Sequence, residues 1–534
     1  VLDSSHTAVG FATVCIQGTS KCALADERGV FHLTDVRPGE VALDITAPGA
    51  AAIVSDPVDV RPGVDRHVEV VLPAQGQLSQ TVTVTGTAVV APEEVKTSGF
   101  LIAPTEVLKG AGALQDISRY VQALPGVVIG SNDFRNDIIV RGGSPLENLF
   151  VVDNVEVPNI NTFATFASAG GSVSILDAAM IGDVTFLTGG YPASYINRAS
   201  SVLQISQREG NRQAVESRAT LGFAGAGIVS EGPLGDGRGS WIVSARRSFL
   251  DLFTKDIGIG GVPVLYTFNA KAVYDLGERD RVWLVNLSGV DSVRLGLTDG
   301  KNPDKEISNF DIRYSGSRSA TGVNWQHLFG TRAVGLFGVT HSEARVGSTV
   351  RDLAYNGALP VELGADQIIA RSPVIYSDRS REGESTVKYD LTLQGGAIGK
   401  VQAGGSLKVF GVSYDTAAPL GYDSPYSLVR GVNAFSLERA LTATQSGAYL
   451  QATTALSPQL SLTWGGRVDH YQYISQTRVS PRLSMRYNVT PRVSLSGSTG
   501  IYYQQPAFLF LSVFPQNRAL KPIRADHFVG GLTV

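Results

Sequence analysis

The chain has 534 residues, 43% of them hydrophobic and 17% charged, with 59 Gly, only two Cys and two Met, and a formal net charge of −3. This balance is unusual for a soluble cytosolic enzyme, and the near-neutral charge gives no reason to expect nucleic acid as a partner. No run of about 18 apolar residues occurs, which excludes a transmembrane helix. A transmembrane barrel stays open, because alternating strands average to a mean hydropathy near zero, here +0.06. The chain begins at Val1 with neither Met nor a basic-apolar leader, so a secretory signal peptide is expected to have been removed or to lie outside this sequence.

Residues 1–76 read as the first domain. Short β-rich pieces at 11–16, 29–33, 41–45 and 68–72 sit between Arg-Pro-Gly, Ala-Pro-Gly and Asp-Glu-Arg-Gly turns, which suits a small Ig-like antiparallel sandwich. Nothing here clusters as a site, and a generic spacer is the simplest reading. The pattern Asp26-Glu27-Arg28-Gly29-Val30-Phe31, followed by Val36-Arg37-Pro38-Gly39-Glu40, resembles the carboxypeptidase regulatory-like, or transthyretin-like, domain. Cys15 and Cys22 flank a short loop between adjacent strands, so an oxidising compartment would join them; two unpaired thiols are the alternative.

Residues 77–95 form a linker. Within it Thr81, Val82, Thr83, Val84 and Thr85 alternate before Gly86 and Pro92 interrupt them. An extended, unanchored strand of this kind can add itself to an exposed sheet edge, with main-chain hydrogen bonds supplying the affinity. A linker with no partner, or the last strand of the first domain, is the alternative.

Residues 96–208 read as an α+β domain. The periodic Leu114, Ile117, Val121 and Leu124 predict a helix over 113–124, ended by Pro125-Gly126, and 105–108 is a weaker helical start. The run from Leu124 to Asn159 alternates apolar pieces at 127–129, 138–140 and 149–152 with Gly-Gly, Ser-Pro and Asp-Asn turns. Three features of this run, the Leu124 to Val127 Leu-Pro-Gly-Val step, the Val140-Arg141-Gly142 strand end and the Val152-Asp153-Asn154 turn, resemble the plug of TonB-dependent outer-membrane receptors. In such receptors a Val-Thr-Val-Thr-Gly segment like Thr81 to Thr85 stands at the TonB box, and a regulatory-like domain often precedes the plug. The resemblance implies that Arg141, Gly142, Gly143 and Asp153 form a structural plug motif. Arg141 is read as a buried charge tied to a partner. The segment Gly189-Gly190-Tyr191-Pro192-Ala193 is similar to the family's junction of plug and barrel.

From residue 209 to 534 the organisation is set by turns. Tight connections at 235–239, 277–280, 330–332, 397–400, 457–459 and 490–492 alternate with longer polar loops, the asymmetry of outer-membrane barrels. Val479, Pro481, Leu483, Met485, Tyr487 and Val489 share one face; Arg482, Ser484, Arg486 and Asn488 share the other. Lipid on one side and a wet or plugged lumen on the other explain both faces. About thirteen strands are legible, against about 22 in plugged transporters, so the antiparallel barrel reads as incomplete and the chain as C-terminally truncated. Loop residues Asp133, Phe134 and Arg135, and the aromatic stretch Tyr502, Tyr503 and Phe508, expected in a loop, are the candidates for ligand contact; a solvated turn for the former and an interfacial aromatic girdle or loop packing for the latter are the simpler readings.

The seven His residues are scattered without metal-ligand spacing, and no nucleophile elbow or phosphate loop occurs, so neither an enzyme nor a bound cofactor is expected. The resemblance implies an outer-membrane receptor of a Gram-negative bacterium with its N-terminal domain in the periplasm. Its partners would be TonB, outer-membrane lipid and a scarce solute, glycan or peptide. A structural or adhesive barrel that transports nothing is the second reading, and a secreted multi-sandwich binding protein the third.

Overall fold

In a computed structural model the described residues are all except 4–7, 18–20, 27, 35, 37–38, 48–52, 56–57, 61–66, 73–94, 96, 103, 111–115, 130–134, 167–169, 223–224, 249, 253–260, 297–309, 331, 354–364, 396–397, 420–433, 458, 491–492 and 534. Two compact units are present, the first built on Val1–Val95 and the second beginning at Lys96.

The first unit is a small β structure. Its four-stranded sheet orders Cys22–Leu24, Thr13–Ile16, Leu43–Thr46 and Ile53–Val54, all antiparallel. Gly39–Val41 pairs with Val58–Val60, and Leu2–Asp3 runs parallel to Val71–Leu72. Val14 and Ile16 alternate inward onto Leu43, Ile45 and Leu72, the period of two expected of a half-buried strand. Cys15 stands directly opposite Cys22 across the first strand pair, and the two are bridged.

The plug starts with Gly99–Ile102, the outermost strand of a five-stranded mixed sheet. The sheet order is Val155–Val157, Asn148–Val152, Ser201–Gln207, Ile181–Leu187, Gly99–Ile102, with Asn148–Val152 parallel to Ser201–Gln207. Val107, Ile117, Val121, Val140, Phe150, Val184 and Leu203 form the core between this sheet and two short helices, Pro104–Lys109 and Ile117–Gln122. The second helix is shorter than the 113–124 periodicity predicts. Asp116 caps it, accepting from the Ser118 and Arg119 amides, so helical geometry begins only at Ile117.

The remainder is one sheet of fourteen sequentially ordered strands, from Glu216–Gly222 to Ile523–Thr533, among the described residues. All six tight turns read from the sequence join neighbouring strands at one end of the sheet; longer connections, such as the one after Gln504, crowd the other. The count exceeds thirteen because Glu216–Gly222 and Gly225–Leu234 form a hairpin inside one Ala/Gly-rich stretch that carries no strong turn signal. Val479 and Leu483 are 61% and 45% exposed, whereas Ser480 and Ser484, which follow them, are 1% and 7% exposed, so the apolar side faces outward and the small polar side faces the plug. Leu287 and Ala320 on the inner wall belong to the plug's own core cluster, which places plug and wall in one packed body. No described helix is long and apolar enough to cross a membrane, which says nothing about strands.

Candidate functional site

The seam between plug and inner wall carries most of the buried polar chemistry. It begins at the Asp153-Asn154 tip. Val152 and Val155 pair directly, leaving a two-residue loop in which both residues have positive φ, +45° and +75°. These are the values of a type I′ hairpin, and Asp and Asn are among the few side chains that tolerate them. The tight turn points the tip at the wall. Lys271 donates to the Asp153 carboxylate (2.9 Å) and to the Gln207 carbonyl (2.5 Å), and the Gln207 amide donates to the same carboxylate. Asn154 donates to the Asn324 side chain at 2.7 Å, and Asn324 and Trp283 both donate to the Asp153 carbonyl.

A second anchor lies at 174–177. Arg246 donates to the Ser174 and Leu176 carbonyls at 3.0 and 2.8 Å, Asn269 donates to the Ile175 carbonyl, and Ser244 bonds the Asp177 carboxylate. Asp116 ties this loop back to its helix by accepting from the Ser174 amide (2.6 Å). Burial pushes the Asp116 carboxyl above its ordinary range, and three amide donors only partly offset that cost.

The third anchor is the Gly189 to Ala199 segment. Arg482 reaches from the wall to the Tyr191, Pro192 and Tyr195 carbonyls, with its guanidinium 5.2 Å from the centre of the Tyr191 ring and 4.4 Å from that of Tyr502. Arg467 donates to the Ala193 carbonyl (2.6 Å) while ion-paired with Asp469, and Gln451 accepts from the Ala193 amide. His527 stacks on Tyr502 at 4.1 Å and bonds the Ala199 carbonyl. Gly190 has no substitute here, since a Cβ would lie 2.1 Å from the Ser498 hydroxyl and φ is +63°.

A buried ion-pair group crosses the middle of the seam: Lys408 on the wall meets Glu156 of the plug and Glu384 of the neighbouring strand. Burial by itself would raise the Glu156 carboxyl, but Lys408 and Lys388 outweigh it and hold the group below its usual range. A carboxylate so depressed contributes stability that is fully present above its unfolded value of about 4.3 and lost as pH falls through the lower folded value. Protection of the Val155–Val157 amides, taken relative to their intrinsic exchange rates, should therefore fall in acid below about pH 4, and in Glu156→Gln it should be low at every pH. An unchanged acid limb in the variant would assign the effect elsewhere.

The sequence candidates fall in different places. Thr81, Val82, Thr83, Val84, Thr85, Asp133 and Phe134 lie outside the described residues. Arg135 pairs with Asp137 at 2.7 Å. Arg141 is not a buried charge within a strand. The strand ends at Val140, and Arg141 and Gly142 take φ values of +49° and +80° in a turn closed by the Gly143 amide on the Val140 carbonyl. Its exposed guanidinium bridges the Ser98 and Thr188 hydroxyls at 2.9 and 3.2 Å. Gly143 is required by space: a Cβ would sit 2.6 Å from the Ser200 hydroxyl.

Tyr502 and Tyr503 are not loop residues. Alternation continues through both in the strand Ser494–Gln504, which turns Tyr502 inward, 1% exposed, and leaves Tyr503 half-buried. Phe508 opens a short helix, Phe508–Val513, and is buried between Phe410 (5.0 Å) and Tyr473 (5.8 Å). The plug's Phe166 meets the same cluster through Tyr414 at 6.1 Å. This aromatic group lies at the long-loop end and is where plug and loops come together. Lys271, Arg246, Arg467 and Lys408 belong to no sequence motif; their signal is a lone cation at an inward position of an otherwise alternating strand. Among the described residues no three His, Cys, Asp or Glu side chains are grouped to hold a metal ion.

Comparison with known proteins agrees with this architecture. Residues 97–202 match the TonB-dependent receptor plug domain, and residues 255–533 match the TonB-dependent receptor-like β-barrel. A comparison with curated protein sequences finds no match. Among solved structures, a mutant of the ferric enterobactin receptor PfeA from Pseudomonas aeruginosa is similar over 79% of this chain and 64% of its own, with a TM-score of 0.56 and 15% identity. FpvA of P. aeruginosa, solved with a bound pyoverdine, covers 90% of this chain and 69% of its own (TM-score 0.59, 14% identity). The siderophore receptor PirA from Acinetobacter baumannii covers 77% and 62% (TM-score 0.54, 15% identity). At such identities the likeness concerns the fold, and this chain spans under two thirds of PfeA's length. The matched barrel model alone extends over more than half of the sequence and the plug model precedes it, as the plug precedes the wall in the structure; the chain belongs to the TonB-dependent receptor family.

Proposed function

We propose that this chain is an outer-membrane receptor that binds a scarce extracellular solute and passes it to the periplasm when TonB pulls on the plug. The observation that carries this reading is how the plug is held. Besides the apolar packing of Leu287 and Ala320, its contacts with the wall include many side-chain hydrogen bonds and ion pairs, which can break and re-form. Its first strand, Gly99–Ile102, is an edge strand directly after the linker and is paired on one side only. Force entering through the linker meets that edge first. Thr81 to Thr85 is the segment we assign to TonB, by strand addition. An outer membrane has no energy source of its own, so transport against a gradient needs this coupling.

Short turns face the periplasm and long loops the exterior in barrels of this kind, which places the aromatic cluster of Phe166, Tyr414, Tyr473 and Phe508 on the solute side. The first domain, read as carboxypeptidase regulatory-like, then lies in the periplasm. The solved neighbours are siderophore receptors, so ferric siderophores are one solute class for this reading; glycans and peptides are others, because loop geometry sets specificity. The test is a deletion of residues 79–88, assayed with a panel of labelled ferric siderophores, glycans and peptides on cells producing the protein. Energised accumulation should vanish while cell-surface binding persists. Accumulation that survives the deletion would leave an anchor or adhesin as the better reading.

A further inference from the structure

The outer face of the wall carries a recess of about 520 Å³ near the long-loop end. Its shape follows from strand register. Ala226, Arg247, Tyr266 and Val290 stand side by side in one layer across four strands, and Ile228, Ala245, Phe268 and Ser288 form the next layer. Ala245 sits between two large neighbours, so the surface dips there and Ile228 and Phe268 form the walls of a slot. Ile228, Tyr266, Phe268 and Val290 are 45–54% exposed, whereas Ser244, Thr267 and Asn269, which alternate with them, are buried on the plug side. The recess therefore opens away from the lumen.

Arg247 ends its strand and forms the rim. Its guanidinium lies 5.2 Å from the centre of the Tyr266 ring and donates to the Tyr266 hydroxyl (2.9 Å), the Ser248 carbonyl (2.8 Å) and the Asp251 carboxylate (2.8 Å). These contacts hold a cation and a phenol side by side above an apolar slot, the amphipathic edge that residues at a membrane interface provide.

We propose that this slot holds one acyl chain of a phosphorylated membrane lipid, with the lipid phosphate joining Asp251 on the Arg247 guanidinium. The occupant follows from position. The slot is continuous with the outward apolar face, which by the reading above is covered by lipid; the hollow at Ala245 admits a narrow chain, and the rim offers a lipid phosphate a guanidinium N–H beside the Arg247–Asp251 pair. The proposal rests on that reading of the wall.

The test is native mass spectrometry of the full chain released from nanodiscs of phosphatidylcholine containing a minor fraction of diacylglycerol, which lacks the phosphate, with the same acyl chains. One retained lipid per protein is expected, with phosphatidylcholine favoured about tenfold beyond its abundance, the effect of one charge-assisted contact. Ala245→Leu fills the slot and should lower retention of both lipids at least about tenfold, whereas Ala270→Leu, on the same face one layer below, should leave it unchanged. Arg247→Gln should abolish the preference for the phosphate-bearing lipid over diacylglycerol and keep the chain. Equal retention in wild type and Ala245→Leu overturns the proposal, as does a dimer that Ala245→Leu dissociates, since a second copy would then fill the slot. A chain that fails to enter nanodiscs overturns the membrane reading along with it.

Discussion

A disulfide between Leu101→Cys and Thr185→Cys is expected to prevent the plug from yielding when its N-terminal end is pulled. Leu101 and Thr185 stand directly opposite each other in the ladder that joins Gly99–Ile102 to Ile181–Leu187. That strand is outermost in its sheet, and the pull reaches it at Gly99, so its four paired positions load in succession rather than together. Unzipping one pair at a time breaks about one hydrogen bond of net 0.5–1.5 kcal/mol per step, far less than removing the whole sheet at once. The other attachments at this end are small: Thr97 shares a hydroxyl contact with Ser498, and Ser98 accepts from Arg141 and from the Thr188 amide. Single-molecule pulling on membrane-reconstituted protein should show a first, low-force extension in the reduced double variant and lose it on oxidation. A reductant should restore it. An identical first extension in the oxidised protein would show that force enters the plug elsewhere, and the edge-strand route would have to be given up.

Arg482→Ala should release the Gly189 to Ala199 segment from the wall. The guanidinium serves three backbone carbonyls of that segment and lies against the Tyr191 and Tyr502 rings. Truncation removes three charged donor contacts, at about 0.5–1.5 kcal/mol each, and a cation–π contact as well, while the Tyr191 and Pro192 carbonyls keep the Tyr502 hydroxyl and the Tyr195 amide as donors. A total of about 3 kcal/mol is a conservative expectation, and it corresponds to roughly a hundredfold faster amide exchange across the segment. Arg482→Lys should recover little of this, because an ammonium cannot reproduce a planar fork that serves several acceptors at once. Tyr502→Phe, which loses only one 3.2 Å bond to the Tyr191 carbonyl, should cost about 1 kcal/mol. Equal effects in Arg482→Ala and Tyr502→Phe would mean that ring packing, rather than the guanidinium, holds the seam.

The two variants test different ends of one design. The linker-proximal edge has few contacts, whereas the segment leading into the wall is held by Arg467, Arg482, Gln451 and His527 together. A plug attached this way can yield at one end without leaving the barrel. The mid-seam group of Lys408, Glu156 and Glu384 lies between these extremes, and the depressed Glu156 carboxyl makes it sensitive to acid.

Period-two alternation in the sequence was enough to mark most of the strands, to separate their two faces and to find the six tight turns, because each depends on residues within a few positions of one another. The same local chemistry specified the Asp153-Asn154 hairpin, whose side chains suit positive φ. Local pattern misled where long-range packing decides. Arg141 reads as a charge inside an apolar strand until the turn that Gly142 and Gly143 impose carries it out to Ser98 and Thr188. Tyr502 reads as part of a loop because it neighbours Phe508 and Phe510, yet its inward position is set by Tyr191 and His527, more than three hundred residues before it and twenty-five after it in the numbering. The partners of Lys271, Arg467 and Arg482 are likewise remote in sequence, and a cation on an alternating strand carries no record of which carbonyl it will meet. Alternation determined which residues face the lumen; only the plug seated within the sheet decided what each of them holds, because a buried charge is stabilised by whatever acceptors the fold brings to it.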